Sequence, residues 1–121
     1  MKLNYLRPLL WVEDVKATIQ WYVEVLGFTH GGNLENWGWG YVTLDNVEIM
    51  FAKPGEHFPY TGMNFSGSLY LDTENADGWW ERIQGKAEIV YPIENFEYNM
   101  REFAIRDCNG YMIQFGETIQ K

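Results

Sequence analysis

The sequence predicts an α+β fold built from two tandem βαβββ modules. Three observations lead to this prediction. The order of one strand, one helix and three strands occurs twice within 121 residues. The helix-capping candidates Asp14 and Asn75 hold the same place in the two copies. The closing hairpins also align, with residues 45–51 over residues 109–115. Each copy alone would expose one face of its sheet, so we expect it to bury surface against the other copy or a second chain.

The first module is predicted over residues 1–53 and contains one helix. Asp14 is a suitable N-cap, apolar residues recur with helical spacing after it, and Gly27 can end the helix. Strands are predicted around this helix, where apolar and β-branched residues form short runs bounded by turn residues. They are 4–12, 28–32, 37–44 and 47–52.

A connector over residues 54–66 follows, because this segment holds two prolines and two glycines and has no periodicity. The second module is predicted over residues 67–121. Asn75 caps its helix, which is weakened by Gly78 in its interior. The remaining predicted elements are the helix 76–83 and the strands 68–71, 88–93, 101–106 and 111–116. The dipeptide at 109–110, Asn-Gly, is typical of a hairpin turn between the last two strands.

Composition excludes several classes of function. The net charge of −8 argues against nucleic acid and anionic membranes as partners. The only cysteine, Cys108, excludes a disulfide framework within the chain, which favours a cytoplasmic location. No apolar run approaches the ~20 residues that cross a bilayer. The aromatic fraction of 17% offers flat faces to a planar or cationic ligand, but the same side chains could simply fill a core.

The doubled module resembles the vicinal oxygen chelate superfamily, which includes glyoxalase I, extradiol dioxygenases, and fosfomycin and bleomycin resistance proteins. The resemblance extends over the whole chain and is carried chiefly by residues 12–15, 21–28 and 100–111. The last segment, Met-Arg-Glu-Phe-Ala-Ile-Arg-Asp-Cys-Asn-Gly-Tyr, is most similar to bleomycin resistance proteins. The resemblance implies a single domain over residues 1–121 with the cupped mixed sheet of the glyoxalase/bleomycin resistance fold.

Enzymes of this superfamily hold a divalent metal with one ligand from the first and one from the last strand of each module. The resemblance places these four positions at Arg7, Met50, Ser68 and Gln114. A guanidinium, a thioether, a hydroxyl and an amide do not make a shell for such an ion, so we expect no metal and no cofactor. A carboxylate could still enter the site, because Glu48 shares a strand face with Met50.

By resemblance to bleomycin resistance proteins, we expect a cleft in which aromatic side chains stack on a flat ligand and acidic groups face its positive charge. The cleft would lie where two subunits of a homodimer meet. Arg101 and Glu102 face opposite sides of their strand, and an ion pair with a local carboxylate is favoured for Arg101. The candidate ligand-binding residues are Trp37, Trp39, Phe58, Tyr60, Tyr98 and Glu102.

The function predicted from these residues and this resemblance is metal-independent sequestration of a small aromatic or cationic molecule, such as a bleomycin-type antibiotic. One alternative is a metal-dependent lyase or isomerase of the glyoxalase type, or a dioxygenase-related enzyme, with its metal ligands relocated. Another alternative is a scaffold without a small-molecule role, in which the aromatic residues form the core and a dimer interface.

Overall fold

The computed structural model describes residues 1–32, 38–55, 57 and 59–119. The chain divides into two compact units, Met1–Gly62 and Met63–Lys121. The division falls inside the predicted connector, 54–66. The assignment of the whole chain to one domain stays a prediction.

The first unit is a four-stranded mixed sheet with one helix. Strand β1 runs parallel to β4, the other neighbours are antiparallel, and the order is β1-β4-β3-β2. Its elements are β1 (Leu9–Trp11), α1 (Val15–Trp21), β2 (Thr29–Gly31), β3 (Trp39–Leu44) and β4 (Val47–Ala52). The first strand is shorter than the predicted range of 4–12, because Pro8 has no N–H to donate and only its carbonyl joins the ladder, accepting from the Met50 N–H.

Helix α1 begins and ends where the sequence predicts. The Asp14 carboxylate accepts a hydrogen bond from the backbone N–H of Ala17 at 2.9 Å. The helix continues through a π-helical turn over Tyr22–Leu26, and Gly27 ends it in the left-handed region with φ 77°. The wider turn carries the buried ring of Tyr22, which lies 4.9 Å from that of Phe51 in β4. The helix therefore covers one face of the sheet.

The second unit repeats this arrangement with the order β5-β8-β7-β6, in which β5 runs parallel to β8. Its elements are β5 (Leu69–Asp72), α2 (Ala76–Ile83), β6 (Glu88–Phe96), β7 (Met100–Arg106) and β8 (Met112–Thr118). Two four-stranded mixed sheets, each with one helix, confirm the predicted α+β class and the two βαβββ modules. None of the described helices is long and apolar enough to cross a membrane.

Helix α2 is capped from two directions. The Asn75 side chain accepts from the Gly78 N–H, and the Glu117 carboxylate of β8 accepts from the Ala76 N–H, both at 2.9 Å. The Asn75 side chain folds over the first turn, where a Cβ at position 78 would overlap it. Gly78 thus makes room for the cap, which explains a residue of low helix propensity at this position.

The predicted hairpin between the last two strands is present, and its turn follows Arg106 of β7, as the sequence predicts. The Asp107 carboxylate accepts from the N–H of Asn109 at 2.8 Å and from that of Tyr111 at 2.9 Å. Only Gly110 is left-handed, with φ 95°, whereas a type I′ turn needs two such residues. The Asp107 side chain therefore organises this connection.

Candidate functional site

The second sheet has one face packed under its helix and one face opposite to it. Trp79 of α2 stacks on Phe115 at 5.1 Å, and Trp80 meets Phe103 edge to face at 5.2 Å. Because side chains alternate along a strand, Glu102 of β7 and Gln114 of β8 lie on the opposite face. We call this face, which carries Glu102 and Gln114, the open face of the second sheet.

Glu102 is the centre of a hydrogen-bond network on the open face. The residue is 1% exposed. Its Oε1 accepts from the Tyr70 hydroxyl at 2.8 Å, and its Oε2 accepts a short hydrogen bond from the Tyr91 hydroxyl. The amide of Gln114 lies 3.4 Å from Oε2. A buried carboxylate is costly unless it is hydrogen-bonded, and the two tyrosines meet that requirement.

The network extends along the sheet to two of the positions that the resemblance assigns to metal ligands. Ser68 donates a short hydrogen bond to Oε1 of Gln114, and Nε2 of Gln114 donates to the Tyr91 oxygen at 2.8 Å. Each donor in this series points toward Glu102. The predicted pair Ser68 and Gln114 is thus in direct contact, and its polar atoms are used within the protein.

Gly116 allows Tyr70 to reach Glu102. Gly116 of β8 is opposite Glu102 in the strand register. A Cβ at position 116 would overlap the Tyr70 hydroxyl and ring. The phenol therefore crosses the sheet over a bare backbone, which only glycine provides.

The tyrosines are neutral donors at neutral pH. Burial, followed by the hydrogen bond to Glu102, raises the pKa of Tyr91 to about 12. The same causes raise the pKa of Tyr70 further. Burial and then Glu102 also raise the pKa of Tyr98. Each phenol keeps its proton because ionisation would place a second negative charge beside the carboxylate.

Tyr98 brings an exposed ring to this site. It lies in the turn between β6 and β7, is 56% exposed and stacks on Phe96 at 5.4 Å with an interplanar angle of 12°. Phe96 in turn meets the Tyr91 ring edge to face at 5.5 Å. Through Phe96 and Tyr91, two of the predicted ligand-binding residues, Tyr98 and Glu102, therefore lie at one site.

The charge of Glu102 has no cationic partner among the described residues that form ion pairs. Its neighbour Arg101 faces the other side of the strand and contacts the Asp77 carboxylate at 2.8 Å. That ion pair confirms the arrangement favoured for Arg101. The carboxylate is stabilised by neutral donors, so its field is available to attract a cation.

The corresponding positions of the first unit are arranged differently. Arg7 forms an ion pair with Glu48 at 2.8 Å, and Met50 lies beside Leu9 and Tyr41 in the strand register. Glu48 does share the face of Met50, as the sequence predicts, but its carboxylate is engaged by Arg7. In the first unit, the carboxylate nearest to Met50 on this strand face is thus held in a salt bridge with Arg7.

These side chains do not fit a divalent metal. Ser68 and Gln114 supply only neutral oxygens, Met50 a thioether and Arg7 a positive charge. In the part of the chain that the structure describes, no group of three or more His, Cys, Asp or Glu side chains could hold a metal ion.

Of the other predicted ligand-binding residues, the structure describes Trp39 and Tyr60, both in the first unit. Trp39 is 41% exposed on β3, and its ring lies 5.5 Å from that of Tyr41. Tyr60 lines a pocket of about 620 Å³ together with Glu13 and Lys53. Trp37 and Phe58 lie outside the described residues.

Sequence reasoning missed Tyr70 and Tyr91, which hold the central carboxylate. The period of two could have placed Tyr70 on the same face as Ser68, two residues earlier. The pairing of β6 with β7 contains two register irregularities between Ile89 and Glu94, so no simple alternation identifies Tyr91.

Comparison with solved structures finds the same fold in proteins of low sequence identity. The structure of TioX from Micromonospora sp. ML1 has a TM-score of 0.78 and 20% identity, covering 96% of this chain and 99% of that chain. A glyoxalase/bleomycin resistance protein/dioxygenase from Nocardioides has a TM-score of 0.78 and 15% identity, covering 99% and 86%. A lactoylglutathione lyase from Agrobacterium tumefaciens has a TM-score of 0.73 and 16% identity, covering 94% and 92%.

Comparison with curated protein sequences gives no match. The family model described as "Glyoxalase/Bleomycin resistance protein/Dioxygenase superfamily" matches residues 2–115. This match covers nearly all of the sequence and agrees with the two βαβββ modules and with the solved structures. The chain therefore belongs to the glyoxalase/bleomycin resistance/dioxygenase superfamily.

Proposed function

We propose that this protein is a metal-independent binding protein of the bleomycin resistance type, which sequesters a small aromatic cation without transforming it. The observation that carries the proposal is the Glu102 site. A carboxylate that is 1% exposed is surrounded by tyrosines and belongs to none of the ion pairs among the described residues. Such a site attracts positive charge and offers rings on which a flat ligand can stack.

The interaction energies favour a ligand that is both aromatic and positively charged. An aromatic pair contributes roughly 0.5–1.5 kcal/mol beyond area burial, and a cation over a ring contributes about 0.5–2 kcal/mol. Tyr98 and Tyr70 are 56% and 44% exposed, so both rings are accessible. The net charge of −8 adds a long-range attraction for cations.

Trp39 is exposed on β3 and stays a proposed ligand-binding residue of the first unit. The predicted homodimer and its shared cleft are part of the proposal, as in the bleomycin resistance proteins that the sequence resembles. Sedimentation of the full chain at micromolar concentration tests the dimer independently of ligand binding.

The donor set at the superfamily's metal positions favours binding over metal-dependent catalysis. Arg7 is ion-paired, and Ser68 hydrogen-bonds to Gln114. Elemental analysis of the purified protein tests the enzyme alternative directly. A stoichiometric divalent metal would support a lyase, isomerase or dioxygenase-like activity with relocated ligands and would overturn the proposal.

Calorimetric titration with bleomycin tests the proposed ligand class. Glu102→Gln keeps the size of the side chain and removes its charge, so we expect roughly tenfold weaker binding or more. Glu81→Gln makes the same charge change on helix α2, which covers the other face, and is expected to bind as the wild type does. Circular dichroism verifies that both variants fold.

Two results would contradict this proposal. Equal affinity of Glu102→Gln and the wild type would remove Glu102 from the site. No heat of binding at high micromolar bleomycin would reject a function of the bleomycin resistance type for this chain.

A further inference from the structure

The carboxylate of Glu102 has both of its oxygens engaged by the protein. Oε1 accepts from Tyr70 at 2.8 Å, and Oε2 accepts from Tyr91, with Gln114 a further 3.4 Å away. The residue is 1% exposed. Each carboxylate oxygen can accept a second hydrogen bond, but the residue is almost fully buried, so an N–H group of a ligand could reach it only by displacing a tyrosine hydroxyl.

The surface that a ligand meets is therefore made of phenol rings. Tyr70 is 44% exposed although its hydroxyl is directed at Glu102, and Tyr98 is 56% exposed. A hydrogen bond to an anion polarises its donor, so the Tyr70 ring gains negative charge from its bond to Glu102. Such rings are stronger partners for a cation than isolated phenols.

Cations differ in the hydrogen bonds to water that they lose when they bind to this surface. A primary ammonium carries three N–H donors, and each one left without an acceptor costs free energy. A quaternary ammonium or an N-alkylated heteroaromatic ring has no N–H to satisfy. Its charge still interacts with the rings and, through space, with Glu102.

We propose that the Glu102 site selects aromatic cations whose charged nitrogen carries no N–H, in preference to primary ammonium compounds of the same framework. The ligand class is then an N-alkylated heteroaromatic or quaternary ammonium compound. This inference rests on the proposed function and defines its ligand more narrowly.

NMR titration of the full chain at neutral pH with benzyltrimethylammonium and with benzylammonium tests the selection. The two probes have the same ring and the same charge, and they differ in the N–H groups. We expect the quaternary probe to bind roughly threefold to tenfold more tightly. Equal affinities, or a preference for benzylammonium, overturn the inference and leave sequestration of a cation standing.

Other outcomes separate this inference from the function on which it rests. If bleomycin binds but neither probe does, the inference alone is overturned. If neither bleomycin nor either probe binds, both are overturned.

Tyr70→Phe tests the reason for the selection. It retains the ring and frees Oε1 of Glu102, so benzylammonium should gain affinity and the preference for the quaternary probe should shrink. Tyr5→Phe removes a hydroxyl from the N-terminal segment of the first unit and is expected to keep the wild-type preference. An unchanged preference in Tyr70→Phe contradicts the mechanism. If that variant fails to fold, the wild-type comparison of the two probes still decides.

Discussion

Gly116 determines where the Tyr70 phenol lies, although it has no side chain of its own. Its bare backbone lets the ring cross β8 and donate to Glu102 at 2.8 Å. A methyl group at this position must push the phenol away, which leaves one carboxylate oxygen of a buried residue without its donor. The residue therefore links local backbone geometry to the charge of the site.

We expect Gly116→Ala to lower the free energy of unfolding by about 1–3 kcal/mol, the usual cost of an unsatisfied buried polar group. The same variant should weaken binding of aromatic cations. Urea denaturation and calorimetry measure the two effects. Gly55→Ala is the matched control, because a Cβ there would meet no atom of the described residues within 4 Å beyond its neighbours in the chain. Equal stability of Gly116→Ala and the wild type would contradict the proposed position of Tyr70.

Because of the phenols around Glu102, the free energy of unfolding should depend on pH in the alkaline range. The pKa of Tyr91 is raised from 10.0 to about 12, first by burial and then by Glu102, and that of Tyr70 is raised as well. Above pH 10 the unfolded chain releases phenolic protons that the folded protein retains. Their contribution to stability is full below pH 10 and is lost as the pH rises through about 12.

Denaturation curves between about pH 9 and about pH 11 test this dependence. The free energy of unfolding should decline with pH in the wild type, and less steeply in Tyr91→Phe and in Tyr70→Phe. Each variant removes one phenol whose pKa differs between the folded and the unfolded state. A decline of the same slope in all three proteins would show that the network does not hold these protons.

The caps of α2 join the helix to its sheet. Asn75 closes the first turn from within the helix, and Glu117 reaches the same turn from β8. The Asp77 carboxylate of this turn binds Arg101 of β7, which lowers the Asp77 pKa through a hydrogen bond and the positive charge. These contacts thus fix the position of α2 relative to β7, the strand that carries Glu102.

Asn75→Ala removes the acceptor for the Gly78 N–H and should lower the free energy of unfolding by about 1 kcal/mol. Asn75→Asp keeps an acceptor and should remain within a few tenths of a kcal/mol of the wild type. Thermal or urea denaturation distinguishes the two. Equal loss in both variants would show that the side chain acts through packing alone.

The ends of a helix or strand can be predicted from the sequence where a single residue determines them. Asp14 and Asn75 mark helix starts through side-chain caps, Gly27 marks a helix end through its left-handed backbone, and all three do so in the structure. The predicted first strand extends before Pro8 through a segment that contains Tyr5 and Leu6, whereas the ladder needs an N–H that proline lacks.

The candidate site was predictable only in part. Period-two alternation separates Glu102 from Arg101, and both residues follow it. The partners of Glu102 depend on which strands become neighbours and on the bare backbone at Gly116. Neither is a local property of the sequence, so Tyr70 and Tyr91 emerged only with the fold.

Two electrostatic effects of the protein act on a cationic ligand at different distances. The net charge of −8 acts through solvent and is screened beyond about 8–10 Å at physiological salt. Glu102 acts at the site, where burial reduces screening. Long-range attraction accelerates association, whereas contacts at the site slow dissociation.

We therefore expect the association rate of a bound aromatic cation to fall as salt rises from about 20 mM to about 500 mM, both in the wild type and in Glu102→Gln. The dissociation rate should increase in Glu102→Gln at every salt concentration, because the variant changes the net charge only from −8 to −7 but removes the charge at the site. Stopped-flow measurements with bleomycin separate the two rates. If Glu102→Gln slowed association and left dissociation unchanged, Glu102 would act as one part of the general field, and its burial among tyrosines would have no role in holding the ligand.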